Sequence, residues 1–166
     1  MSPRVSAPNN LRNNVLLISN LFSVGDAYGG VCKELAANLA KRGWQVSTTS
    51  AVRSRLLRPV DMLKTIFLNR NQYSVAQIDV FSGTAFRWAE LSAWALIKLG
   101  KPFVLTLRRG NLPTLAIQQP DRVRALLNAA DRVTTPSRYL LEAMSTYRAD
   151  IHLIPNSLDI KAYSFK

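Results

Sequence analysis

The sequence predicts a doubly wound α/β domain, in which a parallel sheet carries helices on both faces. Apolar strand candidates alternate with amphipathic stretches of roughly ten to fifteen residues, the pattern of strands joined by crossover helices. The first strand candidate, Val15–Ile18, is continuously apolar, as expected for a central parallel strand buried on both faces. With 166 residues the chain is long enough to form one domain with its own core.

The first half of the chain supplies three strand candidates and three helix candidates in turn. After Val15–Ile18, a glycine-containing loop over 20–30 leads into an amphipathic stretch at 31–42, which Gly43 ends. The next candidates are a strand at 44–49, a helix at 59–68, a strand at 75–81 and an apolar helix at 85–99 that Gly100 ends. Residues 1–14 are polar and predict a flexible N-terminal arm before a domain over 15–160.

The second half continues the same alternation. Its candidates are a strand at 102–107, a loop at 108–113, a helix at 121–130, a strand at 132–135, a helix to about 147 and a strand at 151–154. Ser137 is the predicted N-cap of the helix that ends near 147, because a serine hydroxyl accepts from the free N–H groups of a first turn. Six strands are therefore expected.

The composition excludes several kinds of disulfide and metal site, but it does not identify the binding partner. The single Cys32 and single His152 exclude a disulfide framework, a cysteine-rich zinc site and a multi-histidine metal site. A net charge of +12 favours polyanionic partners, which include nucleic acid, phosphorylated ligands and an anionic membrane. No apolar run approaches the roughly 20 residues that span a bilayer, so a cytoplasmic protein is predicted.

The ligand site of such a sheet lies outside the carboxyl ends of its strands. That rule selects five segments, namely 20–30, the residues after Phe81, 108–113, 136–138 and 155–159.

The first of these segments has the glycine spacing of a phosphate-binding loop but lacks its other residues. Gly25 and Gly30 are spaced as in a P-loop, yet Val31 and Cys32 stand where lysine and serine or threonine are needed. Gly29 and Gly30 would open the following helix, where bare N–H groups suit a phosphate or a sugar hydroxyl. The alternative is a tight strand-to-helix turn without a ligand.

Two arginine clusters allow both a binding and a structural interpretation. Arg108 and Arg109 follow a strand at the ligand edge and could hold phosphate, or they could form a solvated basic loop. Arg53, Arg55 and Arg58 precede a helix that could lie on an anionic bilayer. We favour the alternative that this helix packs on the sheet.

The remaining candidates are expected to be structural. Trp88 and Trp94 are predicted to be core residues, Cys32 a buried filler and His152 a structural strand residue. Nucleic-acid binding is therefore ranked last, because it needs exposed aromatic side chains for stacking. The mid-chain carboxylates, Asp79 and Glu90, give no acid–base pair.

Five segments in this order resemble the N-terminal domain of GT-B glycosyltransferases of the family 4 (group 1) type. They are Tyr28–Gly30 with the helix and strand to Val46, Gly100–Leu107, Gly110–Pro113, Ala130–Leu140 and Ile154–Asp159. The resemblance implies a retaining enzyme that transfers a sugar from a nucleotide diphospho-sugar to a hydroxyl of a glycan or lipid-linked acceptor. Cell-surface polysaccharide or glycolipid synthesis is the implied pathway, with no metal or other cofactor and no nucleic acid.

The resemblance also implies that most of the donor site belongs to a C-terminal domain that this chain lacks. Residues 161–166 would begin the interdomain linker, and the domain alone is expected to be inactive. Its place would be cytoplasmic, with peripheral contact to the anionic inner face of the membrane. The alternative is a non-catalytic module of the same fold that binds phosphate or anionic membranes.

The resemblance assigns ten residues to the donor diphosphate and the acceptor. They are Tyr28, Gly29, Gly30, Arg108, Arg109, Gly110, Asn111, Ser137, Arg138 and Asn156. Arg108 stands where the family often has histidine, and Gln77 and Asp79 stand where relatives often carry another. Because arginine stabilises phosphate charge but cannot carry a proton as imidazole does, the catalytic residue stays unassigned.

Overall fold

The computed structural model describes residues 13–19, 27–49, 57–108 and 111–156, with the backbone alone for 27–30 and 58. The predicted N-terminal arm up to residue 12, Arg53, Arg55 and residues 157–166 lie outside the described residues.

Six strands and six helices are described. The strands are β1 (Asn14–Ile18), β2 (Gln45–Thr48), β3 (Val75–Val80), β4 (Phe103–Leu107), β5 (Arg132–Thr135) and β6 (Ile151–Leu153). The helices are α1 (Ala27–Lys41), α2 (Arg58–Leu68), α3 (Thr84–Lys98), α4 (Leu112–Gln118), α5 (Pro120–Ala129) and α6 (Arg138–Met144).

The strands form one parallel sheet in the order β2-β1-β3-β4-β5-β6, which confirms the predicted fold class. The chain moves one way across the sheet from β1 to β2 and the opposite way from β2 onward. Because crossover connections between parallel strands are right-handed, this reversal places α1 on one face and α2 to α6 on the other.

Each face has its own apolar cluster, and the two differ greatly in size. On the face of α2 to α6, buried side chains from every strand except β2, among them Ile78 and Leu105, pack with helix residues such as Ile66. On the other face, Val15, Leu17 and Cys32 form a small cluster with half-buried residues of α1 and its neighbours. We call the first the five-helix face and the second the α1 face.

The predicted helix ends are largely confirmed. Gly43 and Gly100 follow α1 and α3 with φ of 83° and 63°, the left-handed conformation that glycine adopts without strain. Ser137 caps α6 as predicted, and its Oγ accepts from the Leu140 N–H at 3.3 Å. This helix ends at Met144 rather than near 147, because the following residues form a turn.

Two helices depart from the prediction. α1 begins at Ala27 rather than at 31, so Gly29 and Gly30 lie inside its first turn instead of preceding it. α4 was not predicted, since residues up to 113 were expected to form a loop. Its seven residues are too few for a clear helical period, but buried Leu112 and Ala116 are spaced by one turn.

The prediction that Trp94 is a core residue is wrong, because 51% of its surface is exposed. α3 buries the side of the helix that carries Phe86, Ala89 and Leu96, and Trp94 lies on the opposite side. An apolar helix does not reveal its buried side by periodicity, which explains the error. Trp88 is half-buried against the core, and Cys32 is buried as predicted.

None of the helices in the described ranges has both the length and the hydropathy of a bilayer-spanning segment.

Candidate functional site

A row of polar side chains crosses the α1 face near the carboxyl ends of the central strands. In each of these strands, residues that alternate with the buried apolar positions point to this face. The row consists of Gln77 and Asp79 from β3, Thr106 from β4, Arg108 directly after β4, Thr134 from β5 and Asn156 after β6. We call these six residues the polar network.

Arg108 is the best-anchored member of the polar network and is only 8% exposed. Its Nε donates to Asp79 Oδ1 at 2.8 Å, and its Nη1 donates to Asn156 Oδ1 at 2.7 Å. The register of the sheet brings Asp79 close to Arg108, because β3 and β4 pair in parallel with Asp79 opposite Thr106, two residues before Arg108. Residues far apart in sequence are thereby brought to one guanidinium.

The other half of the polar network links three strands through neutral groups. Gln77 Nε2 donates to Asp79 Oδ1 at 3.2 Å and to Thr106 Oγ1 at 3.1 Å. The hydroxyls of Thr106 and Thr134 share a hydrogen bond of 3.0 Å. A continuous chain of hydrogen bonds therefore runs from Thr134 across the sheet to Asn156, and such a chain holds its members in one arrangement.

Beside the polar network lies a cleft of about 300 Å³. Its apolar side is formed by α1 and the turn after it, through Val31, Leu35, Leu39 and Trp44. The sheet and the residues after β6 complete it with Val15, Val75, Ala76, Gln77, Val104, Thr106, Arg108, Thr134, Ile154, Pro155 and Asn156. The volume lies at the lower end of the range found for small-molecule sites.

The chemistry of this cleft suits a hydroxyl-rich or phosphate-bearing ligand. Amides and hydroxyls both donate and accept, which matches sugar hydroxyls, and a guanidinium matches phosphate oxygens. The charge of Arg108 is balanced by Asp79, so the guanidinium is a fixed donor rather than a mobile surface cation. Within the described residues, no group of three or more histidine, cysteine, aspartate or glutamate side chains could hold a metal ion.

Cys32 lies close to the polar network but has the properties of a packing residue. Burial, with a smaller contribution from the Asp79 carboxylate, raises the pKa of its thiol to about 11, against opposing effects of Ser19 and Arg108. The thiol therefore stays neutral near pH 7, and a neutral thiol is neither a good nucleophile nor a metal ligand.

The structure brings together two of the ten assigned site residues, Arg108 and Asn156. Ser137 caps α6, while Arg138 and Asn111 are exposed at the starts of α6 and α4. None of these three is among the described residues that line the cleft, and their contact with a ligand stays a prediction.

The remaining five assigned residues are seen in part or not at all. Tyr28, Gly29 and Gly30 are described by their backbone in the first turn of α1, and nothing follows for their side chains. Arg109 and Gly110 lie outside the described residues.

The two mid-chain carboxylates serve separate ion pairs. Asp79 pairs with Arg108 on the α1 face, whereas Glu90 on α3 pairs with Arg122 on α5. The hydrogen bonds that Arg122 donates to Glu90 raise the pKa of the Arg122 guanidinium, so this arginine stays charged. His152 is exposed on β6.

Sequence reasoning missed Thr106 and Thr134, and it noted Gln77 and Asp79 without joining them to Arg108. A signal was present in the strands themselves. Strands buried on both faces are continuously apolar, whereas β3 carries Gln77 and Asp79 two residues apart and β4 carries Thr106 two residues before Arg108. Polar residues at every second position mark the face that the helices leave open.

Comparison with known proteins gives a family match that covers most of the chain. The sequence model of the family described as Glycosyltransferase Family 4 matches residues 29–162. No curated protein matches. Among solved structures, the constitutive lysine decarboxylase of E. coli is similar over 81% of this chain and 19% of that chain, with 18% identity and a TM-score of 0.36. The chain therefore spans about a fifth of the length of that protein.

Proposed function

Because this chain belongs to glycosyltransferase family 4, we propose that it forms the acceptor-side half of a retaining glycosyltransferase. The enzyme would transfer a sugar from a nucleotide diphospho-sugar to a hydroxyl of a glycan or lipid-linked acceptor. Synthesis of cell-surface polysaccharide or glycolipid in the cytoplasm is the proposed setting. The observation that carries the proposal is the cleft on the α1 face, which runs along the central strands and reaches their carboxyl edge, where Thr106, Arg108 and Asn156 line it.

The acceptor side of the proposal is supported by the neutral half of the polar network. Gln77, Thr106 and Thr134 present amide and hydroxyl groups on one side of the cleft, and α1 presents aliphatic side chains on the other. A sugar offers the same combination, with polar hydroxyls around its ring and apolar C–H surfaces. Hydrogen-bond partners held in place by the sheet would orient one acceptor hydroxyl.

Arg108 would act on the donor side by electrostatics. A guanidinium held by Asp79 and Asn156 cannot turn away from a ligand, so it costs little to reorganise when charge develops on a leaving diphosphate. Arginine does not exchange protons near neutral pH, and Arg108 is therefore assigned no general acid or base role. Arg109 and the backbone of Gly29 and Gly30 are the further proposed contacts of the diphosphate.

A second domain is part of the proposal, and it would hold the nucleotide. The donor is then a substrate shared between two domains, and no cofactor is assigned. This chain alone is expected to bind ligand without turnover, because a cleft closed between two domains is needed to exclude water and complete the donor site.

The binding half of the proposal is tested on the chain as it exists. In ¹⁵N-labelled protein, a nucleotide diphospho-sugar or an oligosaccharide acceptor should shift the resonances of Gln77, Thr106, Arg108 and Asn156. Resonances on α5 should stay in place. Shifts confined to the five-helix face would contradict the proposal.

The transfer half is tested by adding a separately expressed C-terminal donor domain of a family 4 enzyme and following a labelled sugar. We expect transfer only with both parts, and a loss of about a hundredfold in Arg108→Lys, which keeps the charge but loses the planar donor geometry. The matched control is Arg124→Lys on α5, whose side chain lies over Tyr147 and not at the cleft. Equal loss in both variants would count against a role for Arg108. Phosphate binding without transfer under any combination would favour the non-catalytic module.

A further inference from the structure

The exposed apolar side chains of this protein are concentrated on two neighbouring helices. Ten large hydrophobic side chains are exposed among the described residues, and six of them lie on α2, α3 or the residue before α2. These six are Leu57, Val60, Leu68, Leu91, Trp94 and Ile97. Scattered exposed apolar residues need no explanation, but a contiguous group marks an interaction surface.

Helical spacing places these residues on the outer sides of α2 and α3. On α2, Met62 and Ile66 face the core, while Leu57, Val60, Lys64 and Leu68 recur every three or four residues on the opposite side. On α3, the outer side carries Arg87, Leu91, Trp94 and Lys98 at the same spacing. The helices pack side by side on the five-helix face, so the two stripes adjoin. We define the α2–α3 surface as Leu57, Val60, Lys64, Leu68, Arg87, Leu91, Trp94, Ile97 and Lys98.

The charges on the α2–α3 surface are positive. Lys64, Arg87 and Lys98 are exposed between the apolar side chains. The same helices also carry Asp61 and Glu90. Glu90 is paired with Arg122, and the half-buried Asp61 lies one helical turn before Lys64, so it offsets one of the three cations at most and the surface keeps a net positive charge. Apolar side chains with an exposed tryptophan and interleaved lysine and arginine are the composition of helices that lie in a membrane interface.

We propose that the α2–α3 surface docks this protein on an anionic lipid bilayer. Trp94 and Leu91 enter the boundary between headgroups and acyl chains, and Lys64, Arg87 and Lys98 lie against the lipid phosphates. The charge pattern favours this occupant over a second copy of the chain, because a two-fold symmetric contact would bring the three cations of both copies into one interface without matching anions. One aromatic residue among aliphatic side chains is also a poor surface for stacking nucleic-acid bases.

The location of the surface makes docking compatible with an open cleft. α2 and α3 lie on the five-helix face, whereas the cleft opens beside α1 on the other side of the sheet. Bilayer contact would therefore leave the polar network accessible. The proposal is independent of glycosyl transfer, and it holds for a non-catalytic protein as well.

The test is sedimentation of the full chain with lipid vesicles at low and high salt. Vesicles of phosphatidylcholine with phosphatidylglycerol should bind the protein, and vesicles of phosphatidylcholine alone should not. Tryptophan fluorescence should shift to the blue on binding, and the shift should shrink in Trp94→Phe. Equal binding to both vesicle types would overturn the proposal.

Matched variants distinguish vesicle binding through the α2–α3 surface from non-specific hydrophobic adsorption and from attraction by the net charge of the protein. The pair Leu91→Ser and Trp94→Ser should weaken vesicle binding by about tenfold or more. Ile117→Ser on α4, where isoleucine is 76% exposed, should leave it unchanged. Arg87→Glu with Lys98→Glu should abolish binding at low salt, whereas Lys41→Glu with Arg42→Glu at the end of α1 should reduce it only slightly.

Because the substituted side chains are exposed, circular dichroism should show folded variants. If the α1 charge reversals weaken binding as much as the α3 reversals, net charge alone explains the interaction and the proposal fails. If light scattering finds a dimer in lipid-free solution that Trp94→Ser dissolves, the surface is instead an interface between copies.

Discussion

The two faces of the sheet share the same strands but differ in almost everything else. On the five-helix face, Ile78, Leu105 and Val133 are apolar and buried beneath α2 to α6. On the α1 face, their sequence neighbours Gln77, Thr106 and Thr134 are polar and joined by hydrogen bonds beside the cleft. One residue step along a strand thus separates a side chain that holds the fold together from one that is available for binding.

The difference follows from topology rather than from any single motif. A sheet whose connections reverse after the first helix places one described helix on one face and five on the other. One helix covers β1, β2 and the start of β3 but leaves the positions over β4 and β5 only partly covered, so those positions have no need to be apolar. They form one side of the cleft, and α1 with the strands beneath it forms the other.

The largest expected effect comes from breaking the ion pair at the end of the polar network. Asp79→Ala should lower the free energy of unfolding by about 3–5 kcal/mol, because it leaves the buried Arg108 guanidinium without its partner. Urea unfolding measures this change. The double variant Asp79→Leu with Arg108→Met should recover most of the loss, since apolar groups replace both charges. A cost below about 1 kcal/mol in the single variant would mean that the pair is effectively on the surface.

The second prediction compares two adjacent residues of β4. Leu105→Ala should cost about 2–5 kcal/mol, because it opens a cavity in the fully buried five-helix face. Val104→Ala removes fewer atoms from the half-buried α1 face and should cost about 1 kcal/mol or less. Thermal unfolding of both variants measures the two losses of stability. Similar losses would show that the two faces contribute equally.

The third prediction separates a structural from a binding role at the ligand edge. Ser137→Ala removes the cap of α6 and should cost about 1 kcal/mol, whereas Ser137→Asp should retain the cap. If capping is the whole role, both variants should bind a nucleotide diphospho-sugar like the parent protein in the NMR titration. Weaker binding by the stable Ser137→Asp variant would add Ser137 to the binding residues.

The last prediction concerns pH and the thiol under α1, whose effect on stability appears only at alkaline pH. The pKa of Cys32 is raised by burial from 9.0 to about 11, so the folded state keeps a proton that the unfolded state has already lost. Its contribution to stability is complete below pH 9 and is lost as the pH rises through 11. The parent should therefore lose more stability than Cys32→Ala between pH 9 and 11 in chemical unfolding. A parallel loss in both proteins, or rapid thiol modification at neutral pH, would contradict burial of the thiol.

Much of the fold could be predicted because alternation and handedness are local rules. Continuous apolar runs such as Val15–Ile18 marked the strands, and Gly43 and Gly100 marked helix ends through a backbone conformation that other residues adopt with strain. The carboxyl-edge rule then brought Arg108 and Asn156 into one predicted site although they are 48 residues apart.

The rest depended on tertiary contacts that no local rule contains. The seven residues of α4 form a helix because Leu112 and Ala116 have a core to enter, and a short stretch has little period of its own. Trp94 belongs to a helix with apolar residues on several sides, so only its neighbours decide which side is buried. The partnership of Asp79 with Arg108 required the register between β3 and β4.

The size of the α1 cluster has a consequence for motion. Of the two ends of the sheet, the one at β2 is attached through β1 and α1, with three buried apolar side chains in its cluster. Segments with few buried contacts open at a lower free energy than the whole molecule does. We therefore expect the amides of α1 and β2 to exchange with deuterium sooner than those of β3 and β4. Since α1 is also one wall of the cleft, this local opening would let the cleft widen for a bulky ligand while the remainder of the domain stays folded.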